Sequence, residues 1–204
     1  TFLKNIKWLG HDTFMIMGDG LIYTDPFKLK DKDIIRKADI ILITHEHRDH
    51  CSPEDVKKIQ GSNTTIITTP SCAAKLSGNI KKVKPGDSFS VGNIHIEAVP
   101  SYNIDKKYHK RENNDVGYIF TVKGLRLYFA GDTAYSKRLF DEIHVLFPEL
   151  FLALLPISPI EPARLLNATH MNPEQAVDAY IDLGAQWFVP VHWGTFRFGT
   201  DTFI

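Results

Sequence analysis

The sequence predicts an α+β protein in which two mixed β-sheets pack together with helices on the outside. Three observations lead there. Short strands separated by tight turns recur along the chain, and several apolar runs are too short for helices. Helix signals are scattered among hairpins and isolated strands instead of following each strand in regular alternation.

Residues 13–24 read as strand, turn and strand, with Gly18-Asp19-Gly20 supplying the reversal and Asp25-Pro26 the stop. Ile40-Ile41-Leu42-Ile43 is a buried strand by length and composition, and it runs straight into Thr44 and a histidine-rich segment. Ser52-Pro53-Glu54-Asp55 opens a helix, with Ser as N-cap, Pro in the first turn and acids at the positive dipole end. Residues 65–69 form a second strand that leads to a loop and a short helix. Two hairpins follow, 89–91 with 94–99 turning at Gly92-Asn93, and 118–122 with 125–130 turning at Lys123-Gly124. Residues 152–155 and 187–191 are two more buried strands. Between them Asn172 caps a helix that has Pro173 next and Gly184 just past its end. No linker, repeat or low-complexity tract interrupts residues 1–204, which are expected to form a single domain.

Lys and Arg together number 24 and so do Asp and Glu, so no global field favours nucleic acid or an anionic membrane. No apolar run approaches the roughly 18 residues of a membrane span, and the first residues carry no signal-peptide core. Cys51 and Cys72 are too few for a disulfide framework, and reduced thiols in a cytoplasm are the simpler expectation. A small-molecule substrate is the expected partner.

The chemistry concentrates in His45-Glu46-His47-Arg48-Asp49-His50. Four of these six residues are good metal ligands, placed where a buried strand exits into a loop. There His45 and His47 can face one way and Asp49 and His50 another, so one segment feeds two adjacent cations. Imidazole suits zinc and iron, and a mixed nitrogen and oxygen set is typical of hydrolytic zinc sites.

The HxHxDH pattern after an apolar strand resembles the metallo-β-lactamase superfamily. Further pieces occur in the family's order: Gly10-His11-Asp12-Thr13, Thr24-Asp25-Pro26, Gly131-Asp132-Thr133 and His192-Trp193-Gly194-Thr195-Phe196. The stretch from His170 to Val177 followed by the last of these resembles the branch containing N-acyl-phosphatidylethanolamine-hydrolysing phospholipase D and ascorbate-6-phosphate lactonase. The resemblance implies a four-layer αββα sandwich. It also implies a centre of two divalent ions, zinc first, with manganese or iron as alternatives.

Carried over residue by residue, His45 and His47 belong to a first metal, and Asp49, His50 and His192 to a second, with Asp132 bridging. The family's third histidine for the first metal is replaced here by Asn103, so either Asn103 takes that place or His109 reaches back from six residues on. His109 is favoured because an amide is a poor zinc ligand beside imidazole. Asp25 is either an orienting group behind the ligands or a plain turn residue, and His11 either lines the site or packs the first strand. His170, before a helix N-terminus, is a candidate catalytic group with Asp49 and Asp132, stabilising an oxyanion or assisting the leaving group. His95 and His144 read as structural, Cys51 as space-filling, and the basic run 106–111 as a solvated face more than an anion site.

Two cations about 3.5–4 Å apart would lower the pKa of a bridging water towards about 7, giving a hydroxide that attacks a carbonyl or phosphoryl centre. The expected activity is hydrolysis of a small phosphodiester, phospholipid-like or lactone/ester substrate. His47, where di-iron redox relatives have Glu, disfavours oxidoreduction. A second alternative is a non-catalytic or regulatory metal-binding protein, motivated by Asn103 and an incomplete first site.

Overall fold

The computed structural model describes residues 2–104, 108–157 and 170–195. Residues 106 and 107 of the basic run, and Phe196, lie outside them.

The first half of the chain builds one mixed sheet. Strands β1 (Ile6–Gly10), β2 (Thr13–Met17) and β3 (Leu21–Thr24) pair antiparallel, and β4 (Ile40–Leu42), β5 (Thr65–Thr68) and β6 (Asn79–Lys82) continue parallel to β3 in that spatial order. Helices α1 (Pro53–Ile59) and α2 (Pro70–Ala73) lie between these strands in sequence. The second half builds the other sheet from β7 (Ser88–Val91), β8 (Ile94–Pro100), β9 (Val116–Val122), β10 (Leu125–Phe129), β11 (Leu150–Pro156) and β12 (Trp187–Val191). Its first four strands are antiparallel and its last two parallel, with α3 (Lys137–Leu146) and α4 (Pro173–Leu183) in the crossovers.

Side chains alternate across each strand, so every sheet has two faces to bury. Ile40 and Leu42 of β4 join Phe120, Phe129 and Leu154 of the other sheet in a core between the sheets. Ile41 and Ile43 point the other way, into a cluster with Val56 and Ile59 of α1 and Cys72 of α2. On the far side, Tyr128 and Ala153 meet Phe140 of α3 and Ala176 and Leu183 of α4. The layers are therefore helix, sheet, sheet, helix. The uninterrupted apolar run at residues 40–43 follows from burial on both faces.

The expected helix starts are present. Ser52 Oγ accepts from the Asp55 amide, and Asn172 and Gln175 form a reciprocal capping box. One strand, β6, escaped the sequence reading, and β1 lies earlier than the opening strand expected over residues 8–13. β1 is half-exposed at one edge, and β6, Asn-Ile-Lys-Lys, is a charged edge strand with no apolar alternation. His11 and Asp12, read as part of an opening strand, form the turn between β1 and β2.

One expectation is corrected. Cys51 and Cys72 are not free thiols but a disulfide, with Cα atoms 6.2 Å apart. Counting cysteines by compartment missed that the loop after β4 packs on α2, which brings two distant cysteines together. The thiols therefore lend no support to a reducing compartment. No helix among the described residues is long and apolar enough to cross a membrane.

Candidate metal centre

The centre lies where strand ends of both sheets converge. β4 delivers the segment 44–50, the β1–β2 turn brings His11 and Asp12, and the chain after β3 brings Asp25. From the other sheet come His109 in the β8–β9 connection, Asp132 after β10 and His192 after β12. Two cross-sheet contacts fix the seam: Val116 N–H donates to the Thr44 carbonyl at 3.1 Å, and Tyr118 O–H reaches the carbonyls of Ile43 and Ile67 at 2.9 and 3.1 Å. His11, Asp25, His109 and His192 all adopt positive φ, at 53°, 29°, 55° and 66°. Positive φ is costly in a non-glycine residue, and four of the eight such residues among those described lie around this cluster.

Ligating atoms fall into groups within 4.8 Å of one another: His45, His47, His109 and Asp132 in one, His11, Asp49, His50 and His192 in another. Asp132 connects them, with Oδ2 3.6 Å from His45 Nε2, 3.3 Å from His109 Nε2 and 3.4 Å from His50 Nε2, and Oδ1 3.5 Å from His192 Nε2. His170 Nε2 lies 2.9 Å from the same Oδ2.

Buried acceptors behind the rings determine which nitrogen faces the cluster. The Thr44 hydroxyl donates to Asp25 Oδ2 at 2.7 Å, so its oxygen accepts from His45 Nδ1 at 2.9 Å. His50 Nδ1 donates to Asp25 Oδ2 at 2.7 Å, and His109 Nδ1 to Asp115 Oδ2 at 3.1 Å. Each bond holds a proton on Nδ1 and turns Nε2 towards the cluster. Asn103 serves the loop: its backbone N–H donates to the His109 carbonyl at 2.7 Å and its side-chain amide to the Tyr108 carbonyl at 3.3 Å.

Electrostatics follow from crowding. Burial opposes the charge on Asp132, yet His170, His192 and His50 and the hydrogen bond from His109 hold its carboxyl well below the usual range. Burial, reinforced by the charge on His50, holds the His45 imidazole well below its ordinary value, and burial brings His192 down to about 3. Burial also disfavours a charge on His109, but Asp115 and Asp132 overcome it and raise the ring to about 9. Asp132 and Asp25 likewise raise His50 well above its usual value against burial. Fully buried Asp12 is pushed up by desolvation.

These residues fit a pair of cations. His45 Nε2, His50 Nε2, His192 Nε2 and Asp132 Oδ1 are buried and make no hydrogen bond, although they converge on one another. Orphaned buried acceptors are expensive in a protein without a ligand. A nitrogen-rich set with carboxylates suits zinc, and also manganese or iron.

Residues 5–192 match the family model described as Beta-lactamase superfamily domain. The chain belongs to the metallo-β-lactamase superfamily. It is similar to a metal-dependent hydrolase of Nitratidesulfovibrio vulgaris at 31% identity over 94% of this chain and 80% of that one. A crystal structure from Parabacteroides distasonis, described as a metal-dependent hydrolase, superposes with a TM-score of 0.78 at 34% identity, covering 94% of this chain and 83% of the other. N-acyl-phosphatidylethanolamine-hydrolyzing phospholipase D 1 of Caenorhabditis elegans is 25% identical over 96% of this chain and 65% of its own length. The chain spans only 59% of an uncharacterized Mycobacterium bovis protein that it matches at 28% identity.

In this metallo-β-lactamase fold every residue expected in the centre, His45, His47, Asp49, His50, His109, Asp132, His170 and His192, lies in the one cluster. The sequence reading left His11 open, and its Nε2 sits 3.0 Å from Asp49 Oδ2. It missed Asp12, Thr44 and Asp115 altogether. Asp12 stood inside a motif and Thr44 beside one, whereas nothing local marked Asp115. His95 is on the surface paired with Glu97, and His144 Nδ1 donates to the Leu183 carbonyl behind α4, both far from the cluster in role. Trp8 of β1 and Trp193, just after β12, stack at 5.7 Å, and Trp8 Nε1–H donates to the His11 carbonyl at 2.9 Å.

Proposed function

We propose that the chain is a dinuclear hydrolase, with zinc as the preferred metal, acting on a small phosphodiester, phospholipid-like or lactone/ester substrate. The observation that carries this reading is the convergence of unpaired His45, His50 and His192 Nε2 atoms around Asp132. His45, His47 and His109 would hold one ion, His50, Asp49 and His192 the other, with Asp132 between them and His11 behind Asp49. When bound, two such cations acidify water and polarise the scissile centre.

The chain's own groups then have distinct tasks. Asp49 and Asp132 offset the positive charge and fix the direction of attack. Asp25, Thr44 and Asp115 keep protons on the outward ring nitrogens, so the inward ones stay available. His170, with Nε2 2.9 Å from Asp132 Oδ2 and its ring 3.9 Å from that of His192, is positioned to hold a proton for an oxyanion or leaving group. Similarity to the worm phospholipase supports phosphodiester cleavage among the substrate classes. The non-catalytic reading rested on Asn103 and loses its motive, since His109 stands beside His45 and His47 with ring centroids 4.7 and 4.6 Å away.

The test is elemental analysis of protein purified without chelator, with turnover of bis-p-nitrophenyl phosphate and a simple lactone. Near two metals per chain, with turnover lost in Asp132→Ala, supports the proposal. One metal or none, with both substrates inert, overturns it.

A further inference from the structure

Beside the metal centre lies a cavity of about 610 Å³, lined among others by Phe27, Lys28, Arg48, Asp49 and Asp55. That volume is in the range of small-ligand sites. It joins the centre directly, because Asp49 belongs to its wall and the Phe27 ring stands 5.8 Å from that of His11.

Its charges are unevenly committed. Asp55 is buried and fully used: its carboxylate accepts from the backbone N–H of Lys28 and Leu29, from Ser52 Oγ and from Lys58 Nζ, at 2.8 to 3.0 Å. Lys58 is thereby neutralised, with Glu54 4.0 Å away on its other side. Asp49 is engaged by His11 and grouped with the metal-binding histidines. Arg48 is different. It is exposed, has no ion pair or hydrogen bond among the described residues, and stands in the chain between His47 and Asp49. Lys28 is held by Asp55 in a left-handed backbone conformation, φ 53°, with its Nζ 5.1 Å from the Phe27 ring centre. A strained, pinned lysine and an uncommitted guanidinium therefore share one cavity with a metal-site carboxylate.

We propose that this cavity binds an anionic substituent of the substrate, a carboxylate or phosphate other than the group being cleaved, through Arg48 with Lys28 in support. The proposal rests on the hydrolytic reading above. A guanidinium presents paired N–H donors to two oxygens of such a group, which an ammonium cannot match. Anchoring the far end of the substrate would orient its scissile bond over the cluster.

The experiment compares binding of succinate and acetate to the metal-loaded protein by calorimetry, in the wild type and in Arg48→Gln, Arg48→Lys and Lys28→Gln. Acetate reports on the metals alone, whereas succinate has a second carboxylate to reach the cavity. The expected result is a succinate-to-acetate affinity ratio that falls by roughly tenfold in Arg48→Gln and is partly restored in Arg48→Lys. Lys28→Gln lies outside the ligand segment and should lower the ratio too, which guards against a local collapse around Arg48. A wild-type protein that binds both acids equally, or a ratio indifferent to both glutamine variants, overturns the proposal. Turnover of 4-nitrophenyl hemisuccinate and 4-nitrophenyl acetate separates the two readings. If both esters, bis-p-nitrophenyl phosphate and the lactone are all inert while the ratio depends on Arg48, the hydrolytic reading fails and the anion site stands. If both are cleaved and the ratio is indifferent, the anion site fails alone.

Discussion

His50 Nδ1 lies 2.7 Å from Asp25 Oδ2, and both side chains are fully shielded from solvent. The same carboxylate also receives the Thr44 hydroxyl at 2.7 Å and the Thr44 backbone N–H at 2.8 Å, so one buried acid orients two imidazoles, one directly and one through a hydroxyl. Asp25→Asn keeps the shape but weakens every one of these acceptor roles. Metal affinity should fall about 10–100-fold, measured by competition with a chromogenic chelator. Unchanged affinity would remove Asp25 from the architecture of the centre.

Asn103 and His109 can be separated in the same way. His109→Gln should lose about one metal equivalent per chain by elemental analysis. Asn103→Ala should keep its metals and lose only on the order of 1 kcal/mol of stability, because its amide supports a loop carbonyl. The reverse pattern would assign the ligand role to Asn103.

Gly131 has φ 63°, and a Cβ there would come within 2.9 Å of the Thr44 side chain. Gly131→Ala is therefore strained twice, and its second clash pushes on the residue that steadies His45. Roughly 2–3 kcal/mol of destabilisation is expected, about 5–10 °C in Tm, together with weaker metal binding. A variant that melts with the wild type contradicts the tight packing at this turn.

The chelator-treated protein should be most stable near pH 6.5. His192 titrates at about 3 in the fold against 6.5 ordinarily, so its contribution is present above 6.5 and lost as the pH falls towards 3. His45 acts in the same direction. His109 is raised to about 9, so its contribution is present below 6.5 and lost as the pH rises through 9. Urea denaturation at pH 5, 6.5 and 9.5 measures this, and stability that climbs steadily from one end to the other would refute it.

Legibility in the sequence followed physical range. Patterns set by neighbours in the chain, such as the apolar run 40–43, the Ser52 cap and the Asn172 box, were readable because their causes lie within a few residues. So was half of the ligand cluster, since four of its eight expected residues, His45, His47, Asp49 and His50, lie within six consecutive positions. Asp12, Thr44 and Asp115 were not, because folding decides which groups they face, as when Thr44 links His45 to the distant Asp25. The paired cysteines failed for the same reason: twenty-one residues separate them in sequence, and only the packing of the ligand loop on α2 makes them neighbours. β6 failed differently, since an edge strand of polar residues carries no periodic signal.

Two of the chain's three indoles, Trp8 and Trp193, stack across the seam, each within a few residues of a site histidine. Stacked indoles couple their excited states, and the coupling depends on the offset and tilt between the rings. The molecule thus has a built-in optical gauge: near-ultraviolet circular dichroism and intrinsic emission will register any shift of His11 against His192. Loading of the centre can therefore be followed in real time without a dye, a tag or a turnover assay.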